Sequence, residues 1–222
     1  MKAWIYSALL LCLFAGCRNQ TETAATRSSI FLGPKPIVTV VPVFDHAKHR
    51  FPWNVSQELT SGISHCLERQ NRLYLVDQEK ISKIVQNLEP DQNPFGEDVQ
   101  WIRKTFRNEE FVAFIELFKH DEIPLNFQEN VPLSQCPAEL YMSARIRIFD
   151  LRGPSLKIVL SEVLNHSENI PTYFTRINHA LLPPDHEDFH ATPQGMAHDS
   201  FAQEIATRIE DYVLLSVDLV RN

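Results

Sequence analysis

This chain of 222 residues contains few glycines, and its net charge is negative. Its six glycines leave no glycine-rich phosphate loop and no dinucleotide-binding fingerprint. None of Ser56, Ser61 and Ser64 has a glycine both two residues before and two residues after it, as a hydrolase nucleophile elbow does. The formal net charge is −7, whereas nucleic-acid binding requires a basic patch, so we expect no nucleic-acid partner.

Long hydrophobic runs are missing as well. The N-terminal run, Ala3 to Ala15, is shorter than the roughly 20 residues that a helix needs to cross a bilayer. It follows the basic Lys2 and ends at Gly16 and Cys17, as the leader of an exported protein does. These residues resemble the lipobox of bacterial lipoproteins, which implies cleavage before Cys17 and lipidation of its thiol. A plain secretory signal that contains a cysteine is the alternative.

The lipobox resemblance also implies a location. Arg18 follows the cysteine, and the absence of aspartate there favours the outer membrane, with the protein facing the periplasm. We predict a signal peptide over residues 1–16, a polar lipidated tether over residues 17–36 and one globular domain over residues 37–222. Each buried acyl methylene contributes about 0.8 kcal/mol, so several acyl chains on Cys17 would hold the protein at the membrane.

Only four cysteines are present. Cys12 lies in the leader and Cys17 is the lipidation site, which leaves Cys66 and Cys136 in the domain. An exported protein meets an oxidising compartment, so these two are candidates for a disulfide. Cys66 also falls on an apolar helix face, where a buried free thiol is common. The sequence leaves both possibilities open.

The segment Ile37 to Leu88 predicts strand, helix, strand and helix. A β-branched run over Ile37–Phe44 is typical of a buried strand. Asn54 is predicted to cap the first helix in a capping box with Gln57, and Asp77 to cap the second.

The later segments predict three further strands. Phe111–Phe118 is strongly apolar, after a short helix near residues 97–106. Leu140–Phe149 alternates apolar and polar residues, which is typical of a half-buried antiparallel strand, and Leu156–Leu164 returns as its hairpin partner. The fold class is therefore α/β, a single domain in which amphipathic helices pack on a four- to five-stranded mixed β-sheet.

Two long segments predict loops before the last helix. His120 to Pro137 is rich in proline, asparagine and acidic residues, and we expect a surface loop there. Asn165 to His198 shows no clear periodicity, and we expect an irregular segment. Asp199 is predicted to cap the last helix.

Three motifs resemble the superfamily of CsgG, LpoB and the N-terminal domain of TolB. They lie at Val40–Asp45, Leu73–Asp77 and Arg147–Arg152. The resemblance implies envelope lipoproteins that act by binding, as activators of peptidoglycan synthases or as components of secretion and envelope complexes. An oligomeric pore subunit is a further function that it implies.

The strongest enzymatic alternative is a zinc metallohydrolase. His186 to His190 reads H-E-x-x-H, in which two histidines on one helix face ligate zinc and Glu187 acts as general base. His198 lies downstream as a candidate third ligand. Prolines on both sides leave at most about two turns of helix, so we expect a solvated loop with surface histidines instead.

A second group of histidines follows the first strand. Asp45, His46 and His49 have no identifiable partner in the sequence, and we expect a solvated turn there. Three aromatic residues lie near helix starts or faces and are candidates to anchor a partner, although such residues more often pack in a core. They are Phe51, Trp53 and Trp101.

These features predict a membrane-anchored lipoprotein whose domain is a non-enzymatic binding or assembly module. No catalytic residue, metal or cofactor is expected. The expected partners are the membrane, through lipid on Cys17, and an envelope protein, and the sequence leaves a homo-oligomer open.

Overall fold

A mixed β-sheet forms the centre of the computed structural model. The residues that the structure describes are 34–49, 51–89, 91–125, 136–173 and 182–221. The predicted signal peptide, Cys17 and the tether up to Gly33 lie outside them. Among the described residues, no helix is both long enough and apolar enough to cross a bilayer.

Six strands and five helices make up the described part of the chain. The strands are β1 (Ile37–Val40), β2 (Phe44–Asp45), β3 (Tyr74–Leu75), β4 (Phe111–Pro124), β5 (Ala138–Asp150) and β6 (Lys157–Ile170). The helices are α1 (Val55–Gln70), α2 (Gln78–Val85), α3 (Gln100–Thr105), α4 (Glu187–His190) and α5 (Pro193–Arg221). The predicted α/β class is confirmed, with one more short strand than expected.

Strand β4 joins a parallel half of the sheet to an antiparallel half. The strand order is β3-β1-β4-β5-β6, and β2 also pairs with β4. Both β1 and β2 run parallel to β4, with Val38 opposite Phe111 and Phe44 opposite Glu116. Strands β5 and β6 extend the other half as antiparallel neighbours.

The first two helices begin where their capping residues predict. The Asn54 side chain accepts the Gln57 backbone N–H at 3.0 Å, and the Asp77 side chain accepts the Glu79 N–H at 2.7 Å. These bonds satisfy donors that a helix start otherwise leaves unpaired. Helix α2 ends at Val85, earlier than the predicted stop after Leu88.

Helices cover both faces of the sheet. On one face, Val112, Phe114 and Phe149 form a buried cluster with Ile81 of α2 and Ile102 of α3. On the other face, α1 and α5 pack on each other and α5 lies along β5 and β6. The predicted apolar face of β5 is confirmed, because each of its side chains is 0% exposed: Leu140, Met142, Ala144, Ile146 and Ile148.

The predicted loop from His120 to Pro137 is wrong at its beginning. Strand β4 continues to Pro124, so His120 belongs to a strand. A bulge between Leu117 and Lys119 changes which residues face the helices, and it leaves His120 only 3% exposed. The middle of the predicted loop, residues 126–135, lies outside the described residues.

The predicted irregular segment from Asn165 to His198 is also shorter than expected. Strand β6 continues to Ile170, and α5 begins at Pro193 rather than after Asp199. The hydroxyl oxygen of Thr192 caps α5 by accepting the Gly195 N–H at 3.0 Å, and proline suits the first helical position. A side chain at residue 195 would overlap the Phe189 carbonyl, so glycine permits this tight corner between α4 and α5.

Candidate functional site

Three histidines, a phenylalanine and a glutamate lie together where α1 and α5 begin beside β4, and we call this group the histidine cluster. Its members are His49, Phe51, Glu58, His120 and His198. They come from four parts of the chain: the segment after β2, α1, β4 and α5. The fold therefore brings together residues that are distant in sequence.

A chain of hydrogen bonds runs through this cluster. Trp53 donates from its indole nitrogen Nε1 to Glu58 Oε2 at 2.7 Å, and His198 donates from Nδ1 to Glu58 Oε1 at 2.6 Å. His198 Nε2 faces His120 Nε2 at 2.9 Å. In the tautomer that lets His198 donate to Glu58, His198 Nε2 accepts and His120 donates. The chain is buried, since the side chains of His198 and Glu58 are 2% and 9% exposed.

Aromatic rings enclose these polar groups. The ring of Phe51 lies 5.0 Å from that of His120, 5.6 Å from that of His198 and 5.9 Å from that of His49, measured between centroids. Trp53 stacks on Phe51 at 4.5 Å and meets Phe189 edge-on at 5.3 Å. Phe51 and Trp53 thus close the cluster, and Trp101 packs against Phe114 in the opposite core.

His49 belongs to the cluster, contrary to the prediction of a solvated turn. Its Nε2 atom lies 2.7 Å from Asp45 Oδ2, its side chain is 15% exposed, and its ring centroid lies 5.8 Å from that of His120. His46 is different, because its side chain is 64% exposed and pairs with Glu116 at 2.9 Å. The structure therefore separates two histidines that the sequence grouped.

Lowering the pH is expected to destabilise the fold through His120. Burial, followed by the charge of the neighbouring His198, lowers the pKa of His120 from 6.5 to about 3. The folded chain keeps this imidazole neutral, whereas the unfolded chain takes up a proton below pH 6.5, so stability falls as the pH falls toward 3. Between pH 7 and pH 5 the loss from this residue is about 2 kcal/mol, at roughly 1.4 kcal/mol per pH unit.

Urea unfolding at pH 7 and pH 5 measures this effect. In His120→Asn, the loss of stability between the two pH values should be about 2 kcal/mol smaller than in the wild type. Met142 lies opposite His120 on β5, so Met142→Leu perturbs the same place without removing a titratable group. Equal pH dependence in the wild type and in His120→Asn would contradict the prediction.

The H-E-x-x-H residues do not form a zinc-binding helix. His186 precedes the four-residue helix α4 as its cap, and its Nδ1 atom accepts the Asp188 N–H at 3.2 Å. His190 pairs with Asp199 at 3.0 Å, whereas His198 is committed to Glu58 and His120. Within the described ranges, no group of three or more histidine, cysteine, aspartate or glutamate residues is arranged to hold a metal ion. His186 and His190 are exposed, as predicted for surface histidines, whereas His198 is buried.

A groove of about 1000 Å³ opens between α1 and α5, next to the histidine cluster. Trp53, Glu58 and His198 line both the groove and the cluster. The two helices approach closely at Gly62 and Ala202. A Cβ atom added at Gly62 would lie only 3.2 Å from the Ala202 Cβ. Most of the other lining side chains are polar: Asn54, Gln57, Ser61, His65, Arg69, Asp185, His190, Asp199, Ser200 and Gln203.

Cys66 carries a free thiol, so Cys66 and Cys136 do not form the disulfide that the sequence left open. Cys136 is buried, and Cys66 lies partly exposed in the groove wall. Burial raises the pKa of the Cys66 thiol, which disfavours the nucleophilic thiolate. Cys66 therefore lines the groove, and we do not expect its thiol to act as a nucleophile.

The fold is similar to that of the hypothetical protein CT253 from Chlamydia trachomatis. The TM-score is 0.56, with 23% identical residues, over 81% of this chain and 98% of that one. More distant similarities link it to lipoprotein GNA1162 from Neisseria meningitidis (TM-score 0.44, 16% identity, 78% and 99% of the two chains) and the LpoB C-terminal domain from Salmonella enterica (0.37, 13%, 60% and 84%). The similarity to CT253 shows a shared fold.

The chain belongs to DUF7499, a family of unknown function whose model matches residues 26–217. A comparison with curated proteins finds no match. The resemblance to CsgG and TolB stays a prediction.

Proposed function

We propose that this protein is an outer-membrane lipoprotein that faces the periplasm and binds another envelope protein without catalysing a reaction. Lipid on Cys17 would hold the domain near the membrane, which raises its effective concentration around membrane-bound partners. The folded domain would supply the binding surface.

The observation that carries the proposal is the contrast between the closed histidine cluster and the open groove beside it. A catalytic acid or base must reach its substrate, directly or through one water. His120 and His198 instead bond to each other, with Phe51 against both rings. The groove carries polar side chains that are exposed to a partner, among them Gln57 and Ser61. This arrangement suits binding better than acid–base chemistry.

The anchor is tested by labelling growing cells with radioactive palmitate. The wild type should incorporate label and Cys17→Ala should lose it. Cys12→Ala is the matched control, because Cys12 lies within the same leader and is expected to leave with it. Label retained by Cys17→Ala would contradict lipidation at this residue.

The binding surface is tested by photo-crosslinking in intact cells. A photoreactive phenylalanine analogue at Gln57 or Ser61 should give protein adducts, because both residues are exposed in the groove wall. Lys104 of α3, exposed on the opposite helix layer, is the control position and should give none. An adduct at twice the mass of the chain would identify a second copy as the partner. No adduct at the groove positions, or equal adducts at Lys104, would contradict the proposal.

A further inference from the structure

The groove has the length of a short extended peptide. Its α1 wall runs from Asn54 to Arg69, and a helical rise of about 1.5 Å per residue makes this wall about 22 Å long. An extended chain advances about 3.3 Å per residue, so six or seven residues span the same distance. A helical ligand of that length would need about 15 residues and would be much bulkier.

The groove wall carries the polar groups that a peptide backbone requires. Gln57 ends in an amide, which offers both donors and an acceptor, and Asn54, whose oxygen caps α1, adds its amide N–H donors. Ser61 and Ser200 add hydroxyl groups with the same dual capacity. Backbone N–H and C=O groups alternate along an extended peptide, so a lining with both kinds of partner satisfies them.

The charge of the groove selects among peptides. Asp185 and Asp199 contribute two exposed carboxylates, and Arg69 contributes one guanidinium. The Glu58 carboxylate is buried and already bonds to Trp53 and His198. Arg69 also donates to Gln203 at 2.9 Å, which holds it at the groove wall. With the histidines neutral, the formal charge of the lining is therefore negative, and it complements lysine or arginine side chains.

Other ligand classes fit less well. The indole of Trp53 is already packed against Phe51 and Phe189, and its N–H is committed to Glu58, so it is a poor platform for a sugar ring. An acyl chain would need a cavity without charged groups, whereas Arg69, Asp185 and Asp199 line this one.

We infer that the groove between α1 and α5 binds an extended segment of a partner protein, six or seven residues long, that carries at least one lysine or arginine. The inference rests on the proposed binding function and adds the chemistry of the partner. Asp185 and Asp199 are both exposed and would pair with the basic side chain, Asp199 while keeping its contact with His190. The amides of the groove would bind the backbone.

The test is selection from a displayed library of random heptapeptides against the full mature chain in detergent. The enriched peptides should share a lysine or arginine, and their affinity should fall as salt increases. The double variant Asp185→Asn/Asp199→Asn should bind the best peptide about fivefold to tenfold more weakly, since each exposed charge pair contributes up to about 1 kcal/mol. Asp91→Asn removes an exposed carboxylate outside the groove lining and should bind as the wild type does.

Several outcomes would overturn the inference. They are the enrichment of peptides without basic residues, equal binding by the wild type and the double variant, and no enrichment at all. The in-cell crosslinks separate this failure from failure of the proposed function. If the peptide test fails but adducts still form at Gln57 or Ser61, the proposed binding function stands. Only the inference of a basic, extended peptide is then overturned.

Discussion

Phe114→Ala is expected to lower the free energy of unfolding by about 3 to 5 kcal/mol. Phe114 is 0% exposed, and its ring lies 5.8 to 6.3 Å from the rings of Phe149, Phe106, Trp101 and Phe44. Removing it takes a large apolar surface out of the core and leaves a cavity that these four rings cannot fill without moving. A domain of this size has roughly 5 to 15 kcal/mol of stability in total, so the loss is severe.

Urea unfolding of the mature chain, followed by circular dichroism, measures this loss. Phe118→Ala is the matched control, because Phe118 lies on the same strand but is 40% exposed. It should cost less, because a side chain that stays 40% exposed gains less transfer free energy on folding and leaves no closed cavity when it is removed. If Phe114→Ala fails to fold, Phe114→Leu keeps part of the volume and should give a measurable, smaller loss. Similar losses for Phe114→Ala and Phe118→Ala would contradict the packing described here.

The second large effect is expected at the pair formed by Glu58 and His198. Each single leucine variant should cost about 3 kcal/mol, because it leaves the other partner buried without its hydrogen bond. The double variant Glu58→Leu/His198→Leu should cost less than the sum of the two, with a coupling energy of about 2 kcal/mol. Apolar side chains in both places leave fewer unpaired polar atoms.

A surface ion pair provides the control for this double-mutant cycle. Lys83 and Glu79 are 2.7 Å apart, close to the 2.6 Å of the buried pair, but their side chains are 70% and 79% exposed. Their coupling energy should stay below about 0.5 kcal/mol, because water screens the charges and side-chain entropy opposes the contact. A coupling energy for Glu58 and His198 in this lower range would show that burial of the pair adds nothing to stability.

Local patterns in the sequence predicted the elements whose physics is local. The caps at Asn54 and Asp77 need only residues two or three positions away, and the alternation over Leu140–Phe149 needs only one buried face. Thr192 and Pro193 carried an equally local signal for the start of α5, a capping hydroxyl followed by proline at the first helical position. The sequence interpretation instead took the prolines in this region as breaks.

The histidine cluster could not be predicted in the same way. His120 faces the helices because a bulge changes the alternation of β4 after Leu117. The amino-acid sequence contains no motif that predicts this bulge. His49, Glu58 and His198 look like ordinary polar residues until three other segments fold against them. The groove depends on the same tertiary packing, although the polar face of α1 that lines it could have been noticed from its helical spacing.

The bond between Glu58 and His198 has a consequence for synthesis. The two residues are 140 positions apart, and His198 belongs to the last helix of the described residues. A growing polypeptide in which α5 has not yet been made has only one wall of the groove. Contacts between such distant segments form late because closing long loops is slow and entropically unfavourable. A partner that recognises the groove would therefore meet only finished molecules.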